Sequence, residues 1–345
     1  MTGETMSELP DTPAKESQPL TSEPILRIAS GFLAAKQLFV ANEVGLFDAL
    51  SRGPATLNEL ATQLHLPART LRIVADALVA LGIIERRDKT YAHSAVSYAF
   101  LSGSGSDDLR PFLRFWNRLS YPNWMHYEQA IRGETPRIRT PQEWTDEESR
   151  IFSEGVEAIT ASTARALAES YDFHPHVRLI DVGGGTGSFL VTILERYSQL
   201  ECTLFELPSV LAVAQQKLSR TPFTHKITLM PGDFLQVPLP PGHDVILMAN
   251  VIHLLAPDNI RHLLRRARQA VPMGARLLLV DFWTDATHTS PTFAALMAGE
   301  FLLVSREGDV YSVEEITQWL QETGWKLNEH RPLAGPASLV VAEAC

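Results

Sequence analysis

The residues best placed to do chemistry are Asp181, Glu206, Asp233, His253 and Asp281, together with the glycines that follow the first of them. An apolar run from Val177 to Val182 contains Asp181 and passes into Gly183, Gly185 and Gly187, spaced Asp-x-Gly-x-Gly-x-Gly; Ser188 to Arg196 then continues with helical spacing. This reads as strand, tight turn and helix, with glycines letting the backbone approach a ligand closely. Ser188 stands where the last glycine of a dinucleotide-type Gly-x-Gly-x-x-Gly would fall, and no Gly-Lys-Ser/Thr follows to grip a triphosphate. Glu206 ends the short strand Glu201–Glu206, 19 residues beyond Gly187, where a carboxylate can accept hydrogen bonds from both hydroxyls of a ribose. After the strand Lys226–Met230, Asp233 is placed to accept from an adenine amino group while Phe234 packs near the ring. Plainer roles exist: Asp233 as a turn cap, Glu206 as a cap of the helix after Pro208. His253 lies just past a fourth strand, His243–Ala249, at the crevice edge where such sheets bind ligands, and Asp281 closes a fifth, Ala275–Asp281. The order of these groups at successive strand ends carries more weight than any one of them.

In that order they resemble motif I and the following strand ends of class I S-adenosylmethionine (SAM)-dependent methyltransferases. The resemblance implies SAM as cofactor, held by Asp181, Gly183, Gly185, Gly187, Glu206, Leu207, Gly232, Asp233 and Phe234, with Phe152 and Thr160 of the preceding helix beside it. Methyl transfer asks the protein for an in-line nucleophile, little water and a base. A phenol of pKa near 10 is mostly protonated at neutral pH, so a positioned imidazole helps. Asn250–Asn259 resembles the segment of small-molecule O-methyltransferases (plant caffeate-type and bacterial polyketide enzymes) whose histidine is the general base, which casts His253 in that role. The match departs where plant members carry Asp-Trp, here Leu254-Leu255, and a lysine, here Ala249. Of the two glutamates that flank the histidine in those members, the first corresponds to Asp281 and the second to Val310, with Glu307 and Asp309 nearby as substitutes. The alternative for His253 is a structural histidine capping the loop before Asp258.

The acceptor side is read from aromatic and apolar patterns. Half of the six tryptophans lie between residues 110 and 150; most such rings serve packing, and Trp116 and Trp124 are the two expected to line an acceptor pocket. Phe293, Met297, Glu300, Phe301 and Val304 form a one-sided stripe expected to border it, with Met297 and Phe301 as acceptor contacts.

The elements that must position these groups begin with Ile25–Leu50, apolar on an unusually wide surface and expected to be one helix that packs on another chain. A capping box, Thr56 to Glu59, opens the next helix. A second helix over Arg69–Leu81 ends at Gly82, and Ile83–Tyr91 reads as a hairpin, so the pattern is that of a winged helix. From Pro54 to His93 five basic residues face four acids, and the second helix offers few side chains able to reach bases, which disfavours DNA reading. Within the resemblance a winged helix of this kind is a dimerisation domain. The expected fold is α/β: a Rossmann-like SAM-methyltransferase sheet preceded by a mainly helical winged-helix dimerisation domain. Its divisions are a disordered tail (1–24), the winged-helix domain (25–105), a helical connector lining the acceptor pocket (106–172) and the SAM-binding domain (173–345).

A formal net charge of −10 argues against general nucleic-acid binding. Cys202 and Cys345 cannot build a disulfide framework, and no Cys/His cluster has zinc spacing. No run is read as a membrane span or signal peptide, so a cytoplasmic setting is expected. The expected function is a homodimeric SAM-dependent O-methyltransferase of a small aromatic or polyketide-like hydroxyl. Alternatives are a SAM-binding relative catalysing decarboxylation, hydroxylation or pericyclic chemistry, and C- or N-methylation.

Overall fold

A computed structural model describes residues 20–140 and 143–345. Most of the expected tail, residues 1–19, lies outside the described residues; its end does not, because Glu23 and Pro24 already belong to a helix.

The apolar stretch expected as one helix is three: α1 (Glu23–Ala29), α2 (Gly31–Glu43) and α3 (Leu46–Leu50). The second break is at Gly45, whose φ of +79° a side chain would strain. α1 buries none of its residues. Glu23–Glu43 is also, by length and composition alone, apolar enough to cross a membrane, contrary to expectation, although it is interrupted at Ser30. Strand β1 (Ala55–Thr56) precedes α4 (Leu57–Leu64), which starts with the expected capping box: Glu59 N–H donates to Thr56 Oγ1, and Thr56 N–H to Glu59 Oε2. Then come α5 (Ala68–Ala80), β2 (Ile84–Arg87), β3 (Thr90–His93) and α6 (Ala95–Leu101). The strands form a small antiparallel sheet ordered β1-β3-β2. On α5 and the hairpin, Arg72 and Arg86 both pair with Asp76, and Arg87 with Glu85. Phe39, Leu46, Phe47, Leu60, Leu71, Leu78 and Tyr91 form the core of this part.

The connecting helices are α7 (Arg110–Phe115), a π-helical turn (Trp116–Ser120), α8 (Tyr121–Trp124), α9 (Tyr127–Ile131) and α10 (Asp146–Ser170). α10 is opened by a capping box between Thr145 and Glu148. Such a cap contributes about 1 kcal/mol.

Beyond α10 the chain alternates strand and helix: β4 (Arg178–Val182), α11 (Ser188–Arg196), β5 (Glu201–Glu206), α12 (Pro208–Leu218), β6 (Ile227–Pro231), β7 (Val245–Ala249), α13 (Pro257–Ala270) and β8 (Arg276–Asp281). Helices α14 (Thr292–Ser305) and α15 (Val313–Glu322) and the hairpin β9 (Trp325–Pro332) and β10 (Ser338–Ala344) complete it. The seven strands are ordered β6-β5-β4-β7-β8-β10-β9. β6, β5, β4, β7 and β8 run parallel, and β10 enters antiparallel between β8 and β9. One face packs α13 and α15 through Leu263, Ile316 and Trp319; the other packs α10, α11 and α12 through Leu167, Ile193 and Ala214. Chain order reverses at β4, flanked by β5 and β7, so the carboxyl ends of β4, β5 and β7 surround a switch-point crevice.

Candidate active site

The turn after β4 accounts for each of its glycines. Gly183, Gly185 and Gly187 have φ of +71°, +57° and +81°, a region that side chains strain to enter. Gly184 is required by space instead, because a Cβ there would lie 2.2 Å from the Asp181 carboxylate. Asp181 is 0 % exposed, and neither carboxylate oxygen has a hydrogen-bond partner among the described residues. Burial, and then the charge of Glu206, push its pKa up to about 8. A sealed, unpaired carboxylate under a backbone loop is costly by itself, and suits a cationic partner such as the ammonium group of a bound amino acid.

Glu206, at the end of β5, accepts from Gly185 N–H at 3.0 Å through Oε2 and from Leu207 N–H at 2.7 Å through Oε1. Each oxygen keeps acceptor capacity for a ribose hydroxyl. Burial raises its pKa, opposed by those backbone bonds. Gly232 is fixed by packing: a Cβ there would sit 2.3 Å from the Phe205 ring. Asp233 caps its own turn, accepting from Leu235 N–H at 2.8 Å, as its plainer reading has it. Phe234 reaches Gly183, whose Cβ would be 3.4 Å from its ring and 3.0 Å from Val251.

His253 sits on the opposite side of the β4–β7 boundary. After β7, Asn250 takes a left-handed φ of +59° and throws the chain into the 3-10 turn Ile252–Leu254 that carries the histidine. His253 is 6 % exposed, and its Nδ1 stands 2.5 Å from Asp281 Oδ1 at the end of β8. Asp281 also accepts from the backbone N–H groups of Ile252, His253 and Phe282, at 3.1, 3.3 and 2.8 Å. An acceptor-only carboxylate facing Nδ1 places the ring proton there and leaves Nε2 with its lone pair. The imidazole lies flat on Phe301, centroids 3.6 Å apart and planes 14° apart, with Phe282 at 5.8 Å. The loop after α14 clamps the turn: Asp309 N–H donates to the His253 carbonyl, and Tyr311 Oη to the Leu255 carbonyl.

Neither suggested substitute for the second carboxylate reaches the imidazole. Asp309 Oδ1 accepts from Val310 N–H, Glu307 Oε2 from Asn259 Nδ2, and Val310 is buried against Phe301 and Ala294. Met297 joins that apolar cluster beside Phe301, whose ring lies on the imidazole.

The two tryptophan expectations separate. Trp124 Nε1 donates to Glu300 on α14 at 2.5 Å, which brings it beside the stripe. Trp116 does not join it; its ring packs on Phe112, centroids 4.5 Å apart, against the N-terminal core. On α10, Phe152 packs on Phe115 and Trp144, and the Thr160 hydroxyl bonds back to the Val156 carbonyl; among the described residues no side-chain hydrogen bond or ring contact ties either to the glycine turn. Sequence reading overlooked Phe282, although its place directly after Asp281 at a strand end was a usable signal. It also overlooked Gly184 and the burial of the Glu300 carboxylate.

The family model of the O-methyltransferase domain matches residues 128–326, and that of the O-methyltransferase dimerisation domain matches residues 26–103. The chain is 32 % identical over 302 residues to 3-hydroxy-5-methyl-1-naphthoate 3-O-methyltransferase of Streptomyces sahachiroi, covering 86 % of this chain and 87 % of that one. It is 26 % identical to the tetracenomycin polyketide synthesis 8-O-methyl transferase TcmO of Streptomyces glaucescens, covering 92 % and 95 %. Among solved structures, PigF with SAH (S-adenosylhomocysteine) superposes with a TM-score of 0.82 at 27 % identity, covering 94 % of this chain and all of that one. Human N-acetylserotonin methyltransferase in complex with SAM gives 0.84 at 23 % identity, covering 96 % and 99 %, a likeness of fold.

Proposed function

The chain belongs to the O-methyltransferase family, and from that membership we propose that it methylates a hydroxyl of a polycyclic aromatic, polyketide-like natural product, with His253 as general base. The observation that carries this reading is the Asp281–His253 pair, with Nε2 free, one strand away from the glycine turn.

SAM supplies the electrophilic methyl group on its sulfonium. The residues fit that cofactor: the unpaired Asp181 carboxylate suits its ammonium, and Glu206 keeps acceptors for its ribose hydroxyls. Asp233 and Phe234 would flank the adenine, with Leu207 and Gly232 beside them. Phe152 and Thr160 rest on the family resemblance alone. His253 Nε2 takes the acceptor's hydroxyl proton as the oxygen becomes nucleophilic, and Asp281 holds the ring and steadies the imidazolium that forms. Phe282, Phe301, Met297 and Val310 keep water from the base and offer an aromatic acceptor a flat apolar wall. The acceptor class also draws on the naphthoate and tetracenomycin methyltransferases among the relatives. The test is SAH release on incubating the protein with SAM and a panel of naphthols and hydroxyanthraquinones, with methyl ether identified by mass. Product without stoichiometric SAH would instead favour a non-methylating reaction, and methylation confined to amines or ring carbon would displace the O-methyl reading.

The division at residues 105 and 172 belongs to the same proposal, although Leu113 and Phe112 of the connector pack into the N-terminal core and Leu167 of α10 packs with the large sheet. So does a homodimer. Ile25, Leu26, Ile28, Phe32 and Leu33 are exposed on α1 and α2, within the segment matching the dimerisation domain, and a second copy would cover them. Light scattering should give twice the 38.3 kDa chain mass; a monomer at micromolar concentration would rule this out.

A further inference from the structure

One buried carboxylate beside the site has no part in the mechanism above. Glu300 on α14 is 8 % exposed. Its Oε2 takes both donors that reach the side chain, Ser120 Oγ at 2.8 Å and Trp124 Nε1 at 2.5 Å. Oε1 accepts nothing from the described residues, yet it is not among the polar atoms sealed from solvent without a partner. Burial raises the pKa of this carboxyl, and the bonds from Ser120 and Trp124 oppose the rise.

Its neighbours place it at the acceptor end of the site. The next residue, Phe301, carries the imidazole of His253 on its ring face. The preceding one, Gly299, lies so close under the connector that a Cβ would be 2.9 Å from the Trp124 ring and 3.1 Å from Tyr127 Oη. Trp124 and Tyr127 pack together, centroids 4.8 Å apart. A carboxylate held by one oxygen among aromatic rings, with the other unpaired, is built to receive a donor from outside the chain. A mere tie between α14 and the connector would need only the paired oxygen.

We infer that Glu300 sets acceptor specificity: Oε1 accepts a hydrogen bond from a second hydroxyl of the aromatic acceptor, remote from the one methylated, and turns away acceptors bearing a carboxylate at that place. This rests on the aromatic-acceptor reading proposed above. The second hydroxyl orients the rings so that the reacting one meets His253. Ser120 and Trp124 act as positioning residues that fix the carboxylate.

The test is equilibrium binding by tryptophan fluorescence in the presence of SAH, using a naphthol, the matching naphthalenediol and the matching hydroxynaphthoate, on wild type and Glu300→Gln. The glutamine keeps an oxygen for Ser120 and Trp124 while turning an amide donor toward the acceptor. Wild type should bind the diol about tenfold more tightly than the naphthol, with the hydroxynaphthoate weakest. Glu300→Gln should lose most of the diol's advantage and bind the hydroxynaphthoate about tenfold better than wild type does. Equal wild-type affinity for diol and naphthol overturns the inference without any variant, and so does an unchanged rank order in Glu300→Gln. If wild type binds none of the three, the aromatic-acceptor reading falls and takes this inference with it.

Discussion

His253→Ala lowers kcat on a phenolic acceptor by about a hundredfold to ten-thousandfold, the usual contribution of a positioned general base, while SAM binding and the thermal transition change little. The fold should tolerate the change because Asp281 does not depend on the imidazole: three backbone N–H groups still satisfy it. What is lost is the Nε2 lone pair, and Phe301 loses the ring stacked on it. The loss should shrink with the acidity of the acceptor, since a phenol already ionised at the assay pH needs no base. Rates across a series of substituted naphthols therefore decide the matter. Wild type and variant should converge for the most acidic members. A variant that turns over ordinary naphthols at the wild-type rate would remove His253 from the chemistry and leave it a structural histidine clamped by the loop after α14.

Cofactor binding should respond as strongly to Glu206→Ala. Each hydrogen bond to a charged carboxylate contributes about 1.5–3 kcal/mol, so losing both ribose contacts weakens SAM by about a hundredfold to ten-thousandfold. The same side chain braces Gly185 and Leu207, and its removal also loosens the turn. Calorimetry on the wild type should show a second effect, from Asp181. Its pKa is raised to about 8 in the folded, unliganded protein from an ordinary 3.8. The contribution of this group to stability is thus fully present below about pH 4 and is lost as pH rises through about 8. A cationic ligand favours the ionised carboxylate, so SAM binding near pH 7 should release a proton, and affinity should climb with pH until Asp181 is ionised in the free protein. Binding enthalpies in two buffers of different ionisation heat would show the proton. No buffer dependence would mean that Asp181 meets no cation. An unchanged affinity in Glu206→Ala would move the ribose elsewhere.

Residues that act through local geometry were legible in the sequence. The glycine spacing, the acid closing β5 and the histidine past β7 are properties of single strand–turn units, and the fold gathers them around one switch point. The capping box at Thr56 was legible for the same reason. Residues defined by partners far along the chain were not. Trp116 and Trp124 looked equivalent, but the first packs into the N-terminal core and the second bonds to Glu300 on α14, partners that spacing alone does not reveal. Glu300 read as one member of a stripe because Ser120 lies 180 residues away in sequence. The apolar stretch from Ile25 to Leu50 read as one helix because its pattern continues through Ser30 and Gly45, where backbone conformation, not hydropathy, makes the breaks.

The insertion of β10 between β8 and β9 has a consequence for assembly. Ser338 pairs directly with Asp281, so the strand that carries the partner of His253 stays open along one edge until the last strand in chain order arrives. Until then β8 offers a row of unpaired amides and carbonyls to any passing strand. The strand that holds Asp281 is thus closed by one of the longest-range strand pairings in the sheet, which makes its completion a late event in folding and an unfinished chain prone to stick to its own kind.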